Sequence, residues 1–282
     1  MIRIFARANL YLRFSDLNFR TREPIHPRSR VGKGTLRPAL HSRPCLKTLV
    51  GQIARGFLLF IKRLVAPYFN TNCWVLATGV GSECFIVDPG IAEPDLVPEI
   101  STVIRESKLK PVAVLITHGH LDHTFSLFPL SQSEGIATCY VHSEDRELLA
   151  NPEIGMGPQG RALLKELAPN KKWAEPDRVI ELVDESTFEV AGMSLKAIHA
   201  PGHTRGSTMF MVNGENLLSG DVLFKGAIGR SDLPTSDPED MTKSLKEKVL
   251  TLDDSIHVLP GHGDETSIGA ERANNPYLQG LL

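Results

Sequence analysis

The chain has 282 residues, 41% of them apolar and 23% charged, with a formal net charge of −2. That composition is ordinary for a water-soluble protein with room for one large domain or two modest ones. No apolar run approaches the roughly 18 residues of a membrane-spanning helix, so a membrane partner is not expected. Four cysteines (Cys45, Cys73, Cys84, Cys139) without a C-x-x-C pair do not make a disulfide framework for a chain of this size. They read as reduced thiols, with the cytoplasm as the expected compartment.

Charge is unevenly distributed along the chain. Residues 1–60 hold 12 Lys and Arg against Asp16 and Glu23, a net of +10, whereas residues 61–282 sum to −12. Residues 1–57 mix arginine with Pro, Ser and Gly and show no sustained period, so they are expected to form a basic, disordered extension. Three readings of that segment stay open: an inert tail or misassigned start, an organelle-targeting sequence, or an arm for nucleic acid or anionic lipid. The last would need aromatic residues interleaved with arginine, and Phe5, Tyr11, Phe14 and Phe19 show no such pattern. The acidic remainder would repel polyanions, so no nucleic-acid partner is expected.

The chain beyond Phe57 reads as an opening strand, and residues 58–282 as one domain. Short apolar or β-branched runs predict strands at 73–77, 84–87, 112–116, 138–141, 179–183, 195–199, 208–212, 217–218 and 256–259. Helical patterns fall at 95–107, 143–149, 160–168, 240–250 and 265–273. Strands come in bursts separated by helices, which predicts an α/β protein of two sheets with helices outside, a four-layer αββα sandwich.

Just after the run at 112–116 stands Thr117-His118-Gly119-His120-Leu121-Asp122-His123. Burying three imidazoles and a carboxylate together is costly unless hydrogen bonds or a cation compensate. Nitrogen with carboxylate oxygen is a ligand set for zinc, iron or manganese, and the lack of cysteine argues against a purely structural zinc site. Three more segments share one grammar, a strand-like run closing on glycine and a ligand type: Pro201-Gly202-His203, Ser219-Gly220-Asp221 and Pro260-Gly261-His262. His142, His199 and His257 stand alone and read as ordinary packing or surface histidines.

This H-x-H-x-D-H core with a downstream His, Asp and His resembles the metallo-β-lactamase superfamily. Asn70-Thr71-Asn72-Cys73, Val87-Asp88-Pro89-Gly90, the segment Gly226 to Pro234, Thr266 to Gly269, Glu271 and Asn275-Pro276 are similar to its glyoxalase II-like branch, the hydroxyacylglutathione hydrolases. The resemblance implies a metallo-β-lactamase fold and two divalent metal ions, zinc first and iron or manganese as alternatives. It places His118, His120 and His203 on one ion, Asp122, His123 and His262 on the other, and Asp221 between them. Asp122 and Asp221 take the catalytic roles, Asp88 and Thr117 orient ligands, and Arg230 binds an anionic part of the substrate.

The implied activity is thioester hydrolysis, S-acyl thiol conjugates being cleaved by a hydroxide bridging two metals. A small-molecule thioester is the expected partner. Two departures bear on the carrier: an aromatic residue expected two positions past Arg230 is Asp232, and the chain ends about twenty residues after His262 without a helical C-terminal domain. Both count against glutathione as the thiol carrier and leave the carrier open. A mononuclear iron persulfide dioxygenase is the second reading, and a carboxylate at 221 argues against a β-lactamase.

Overall fold

The structure, a computed structural model, describes residues 59–282 other than 169. The reading of residues 1–57 as a basic extension lies outside the described residues, as does Cys45.

Two six-stranded sheets are formed. The first runs in chain order through β1 (Phe60–Val65), β2 (Asn72–Ala77), β3 (Glu83–Val87), β4 (Lys110–Leu115), β5 (Thr138–His142) and β6 (Arg178–Leu182). β1, β2 and β3 pair antiparallel, and β3 to β6 pair parallel. The second contains β7 (Thr187–Val190), β8 (Met193–His199), β9 (Thr208–Val212), β10 (Asn216–Gly220), β11 (His257–Pro260) and β12 (Thr266–Ser267). Here only β10 and β11 are parallel.

The side-chain period of two explains the layering. On β2, Trp74 and Leu76 enter one core cluster, with Phe85, Val87, Leu115, Leu195, Phe210 and Leu259; Cys73, Val75 and Ala77 enter another, with Cys84, Ile86 and Ile116. Because both faces are covered, the strand reads as one continuous apolar run. The first cluster lies between the sheets. The second packs under α1 (Val97–Glu106) through Ile100, Val103 and Ile104. A third cluster covers the far face of the second sheet, where Met209, Leu217 and Val258 meet Met241, Leu245, Ile268 and Leu278. Helix, sheet, sheet, helix is the four-layer αββα order expected. Each buried Leu, Ile or Phe contributes about 1.5–3 kcal/mol, so the middle layer is what holds the sheets face to face.

Several elements escape the sequence reading. α2 (Leu121–Thr124) and α3 (Leu127–Glu134) follow the histidine motif. α3 carries Pro129 in its first turn, where its missing N–H costs nothing, and stops at Gly135 with φ 66°. α4 (Arg146–Ala150) and α5 (Pro158–Leu167) occupy the stretch where helices were predicted at 143–149 and 160–168. α6 (Pro238–Ser244) starts two residues before the predicted 240, because Asp237 caps it by accepting the N–H groups of Glu239 and Asp240. α7 (Ile268–Asn274) and α8 (Pro276–Gln279) close the chain. No described helix is long and apolar enough to cross a membrane.

Candidate metal centre

β4 runs out into His118, Gly119 and His120, and α2 then places Asp122 and His123 on its first turn. The loop between β8 and β9 brings His203. The parallel pair β10 and β11 end side by side and deliver Asp221 and His262 at the same edge. The isolated bridge between Thr71 and His262 and the bond from Thr208 N–H to Thr117 O (2.8 Å) tie the two sheets together there. All seven residues predicted as ligands therefore meet in one place. Positive φ is needed at Gly202 and Gly220, whereas Gly261 is there for space.

Two groups of donor atoms result. In the first, His120 Nδ1 lies 2.8 Å and His118 Nε2 3.2 Å from His203 Nε2. In the second, His123 Nε2, His262 Nε2 and Asp122 Oδ2 are separated by 3.3, 3.3 and 3.4 Å. Asp221 lies between them: Oδ2 is 3.4 Å from both His203 Nε2 and His262 Nε2, and Oδ1 is 3.4 Å from His123 Nε2.

The spacings of the second group and around Asp221 fit a cation, whereas the 2.8 Å between His120 and His203 is shorter than such an edge. Tetrahedral coordination at roughly 2.0–2.1 Å gives ligand-to-ligand edges of about 3.3–3.4 Å. Asp221 Oδ1 is shielded from water and has no hydrogen-bond partner among the described residues. A buried carboxylate oxygen without a donor is costly, and a divalent ion is the compensation its neighbours are placed to share.

The other ring nitrogens are fixed from behind. His203 Nδ1 donates to the carbonyl of Arg230 (2.7 Å) and His262 Nδ1 to that of Phe69 (3.1 Å), leaving each Nε2 lone pair to face inward. His123 Nδ1 lies 2.9 Å from Asp88 Oδ2. Asp88 also accepts from Thr117 N–H (2.9 Å) and Thr117 O–H (2.6 Å), and Thr117 Oγ1 lies 3.1 Å from His118 Nδ1. Such partners fix tautomer and ring orientation. Asp88 itself forms a metal-capable group with His118 and His123, but its oxygens are already engaged behind the rings.

Electrostatics divide the histidines. Burial, followed by the neighbouring His123 and His203, holds His118 well below the usual imidazole range. Burial and then His203 take His120 down to about 3. Burial also opposes charge on His123 and His262, but carboxylates outweigh it. Asp122, Asp221 and Asp88 push His123 well up, and Asp221 with Asp122 pushes His262 up to about 10. Burial in turn opposes ionisation of Asp122 and Asp221, yet His123 beside the first and His262 beside the second hold both carboxyls well below their usual range.

The sign of a pH effect follows. In the metal-free chain the neighbouring carboxylates favour the protonated forms of His123 and His262, and a ligand nitrogen must lose its proton to bind. Uptake at the second group therefore releases protons. Apparent affinity should rise with pH from 6 to 9, by about tenfold per unit for each proton displaced. Calorimetry in two buffers of different protonation enthalpy measures this, and equal heats in both would contradict it.

Of the remaining sequence readings, the three lone histidines stay apart from these groups. His142 stacks on His199 at 3.9 Å between ring centroids, and His257 Nε2 lies 3.0 Å from Glu265. The Arg230 guanidinium meets Asp232, Nε to Oδ1 at 2.6 Å and Nη2 to Oδ2 at 2.9 Å. Asp145 was missed altogether, as was the nearness of Thr235, whose Oγ1 lies 3.5 Å from His120 Nε2.

A four-layer αββα sandwich with two His/Asp donor groups at one edge defines a class of metal-dependent enzyme. The family model described as the metallo-beta-lactamase superfamily matches residues 66–262, and the chain belongs to that superfamily. Hydroxyacylglutathione hydrolase GloC of Haemophilus influenzae is 32% identical over 211 residues, 74% of this chain and 93% of that protein. A solved structure described as BLEG-1 B3 metallo-beta-lactamase matches at TM-score 0.66 and 30% identity, covering 78% of this chain and 99% of the other. TTHA1623, solved in a di-iron-bound form, matches at 0.62 and 30%, covering 78% and 100%. The protein is a metallo-hydrolase by family, and that family holds divalent metal ions.

Proposed function

We propose that this chain is a two-metal thioester hydrolase of the glyoxalase II-like kind. The observation that carries the proposal is Asp221, a carboxylate facing both donor groups with one buried oxygen that has no hydrogen-bond partner among the described residues. The likeness to the Haemophilus hydroxyacylglutathione hydrolase supports the substrate class.

His118, His120 and His203 would hold one ion, Asp122, His123 and His262 the other, with Asp221 common to both. Zinc is the expected ion, and the di-iron relative keeps iron open. Two such ions lower the pKa of water and polarise a carbonyl. The protein supplies position. Asp122 is held by Thr71 O–H at 3.1 Å, so its carboxylate is oriented before substrate arrives. No nucleophilic side chain is needed, and a thiolate leaves with little help from a general acid.

Arg230 is proposed to hold an anionic group of the substrate. It stands half exposed in its pair with Asp232, so binding an anion there means exchanging one carboxylate for another. If it does, Arg230→Ala raises KM for a charged thioester about tenfold with little change in kcat, the pattern of lost uniform binding. A neutral thioester is unaffected. Equal losses of kcat/KM for both substrates, with earlier melting, would leave Arg230 as a clasp for its own loop.

The decisive assay measures metal content of the purified chain and then kcat/KM for S-lactoylglutathione, a simple acyl thioester, a β-lactam and glutathione persulfide. Two equivalents of metal with thioester turnover above the rest is the expected result. One equivalent of iron with oxygen consumption on persulfide, or lactam turnover above thioester, overturns it. The lactam belongs in the panel because of the B3 metallo-beta-lactamase neighbour.

A further inference from the structure

The first donor group is assembled from two sheets. His118 and His120 follow β4, and His203 lies between β8 and β9, yet their ring nitrogens stand 2.8 and 3.2 Å from His203 Nε2. Two ring-to-ring contacts are a slender link between loops of different sheets, and a buried group behind them joins the same loops.

Asp145 is placed to do this. It sits in the short turn after β5 and is wholly buried. Its Oδ2 accepts the Gly119 N–H (2.7 Å) and the Thr204 O–H (2.6 Å), and its Oδ1 accepts the Gly206 N–H (2.8 Å). Gly119 lies between His118 and His120, and Thr204 directly follows His203. Both oxygens face donors, the pattern of an ionised carboxylate, and bonds to a charged acceptor are about twice as strong as neutral ones. The backbone approaches closely to make them. A Cβ at position 206 would stand 2.6 Å from Asp145 Cγ, and one at 119 would stand 2.6 Å from Leu148 Cβ on α4.

We infer that Asp145 is a positioning residue for the first cation: its carboxylate clips the His118–His120 loop to the His203 loop, so the three-imidazole face exists before metal arrives. Its hydrogen bonds go to the residues between and beside the three rings, not to the rings themselves. The inference rests on the ligand set proposed above. No hydrogen bond joins Asp145 to Asp122, His123 or His262, so its effect is confined to one of the two ions.

The experiment titrates the metal-free full chain with zinc against a chromophoric chelator, alongside melting of the metal-free protein. Asp145→Asn keeps the volume, but leaves one acceptor oxygen and turns an NH2 group toward an N–H donor. Thr204→Val removes a single donor and serves if the first variant does not fold. Ile100→Ala, a cavity under α1, controls for lost stability. Asp145→Asn should bind one equivalent as the wild type does and the other about 10- to 100-fold more weakly. Thr204→Val should show a smaller loss at the same equivalent, and Ile100→Ala should melt earlier with both affinities intact. Wild-type affinity for both equivalents in Asp145→Asn and Thr204→Val overturns the inference. So does a loss in Ile100→Ala equal to theirs, since affinity would then merely follow stability. A wild-type chain that takes up no zinc removes the metal centre itself, which distinguishes failure of that reading from failure of this one.

Discussion

Replacing Asp221 by alanine should lower kcat/KM for a thioester by roughly 10³-fold or more, the equivalent of the several kcal/mol that metal ions supply to a developing charge. It should also reduce bound metal from two equivalents to one or less. A carboxylate shared by two adjacent cations offsets their mutual repulsion, and Asp221 is 3.4 Å from nitrogens belonging to both donor groups. Asp221→Asn separates charge from shape: it fills the same space without a negative charge and should fold normally while still losing metal. His142→Ala is the matching control, because that ring stacks on His199 outside both groups and its loss should leave metal content unchanged. Elemental analysis with steady-state kinetics decides the matter. Two equivalents and normal turnover in Asp221→Ala would remove the bridging role.

Gly261→Ala should be nearly as damaging, although residue 261 is not a ligand. A Cβ there would overlap Asp221 Oδ1 and stand 2.9 Å from His123 Cε1. The backbone has no room to retreat, since Gly261 N–H donates to Gly220 O at 2.8 Å and Gly261 O accepts from Asn72 N–H at 2.7 Å. The added methyl must therefore displace the carboxylate and the ring. Metal content should fall toward that of Asp221→Ala, with an overpacking cost of about 1–3 kcal/mol in stability. Gly79→Ala, whose nearest neighbour would be Ser82 Oγ at 3.9 Å, should be silent. A Gly261→Ala protein with full metal and normal kcat would show that the loop moves freely, against the packing described here.

Much of the centre is legible in the chain because its signals are local. His118, His120, Asp122 and His123 fall within six positions, and each remaining ligand stands directly after a strand-like run and a glycine. A strand end fixes where the next side chain points, so such patterns survive without knowledge of the partners. The four layers are legible for a similar reason: continuous apolar runs such as 73–77 mark strands covered on both faces. β7 was lost because the alternation of Thr187, Phe188, Glu189 and Val190 lasts only four residues, and its place is decided by pairing with β8.

What only the tertiary structure decided is how distant loops meet. Nothing near Asp145 in the sequence marks it as more than an acidic residue at the start of a helix, yet its partners Gly119, Thr204 and Gly206 lie 26, 59 and 61 positions away. The inward nitrogen of each histidine and the oxygen of Asp221 that has no hydrogen-bond partner among the described residues belong to the same category. Chemistry-bearing residue types are chosen one position at a time and remain visible in the chain. Their supports are chosen by the packing of one sheet against the other, which brings together groups that no local period connects.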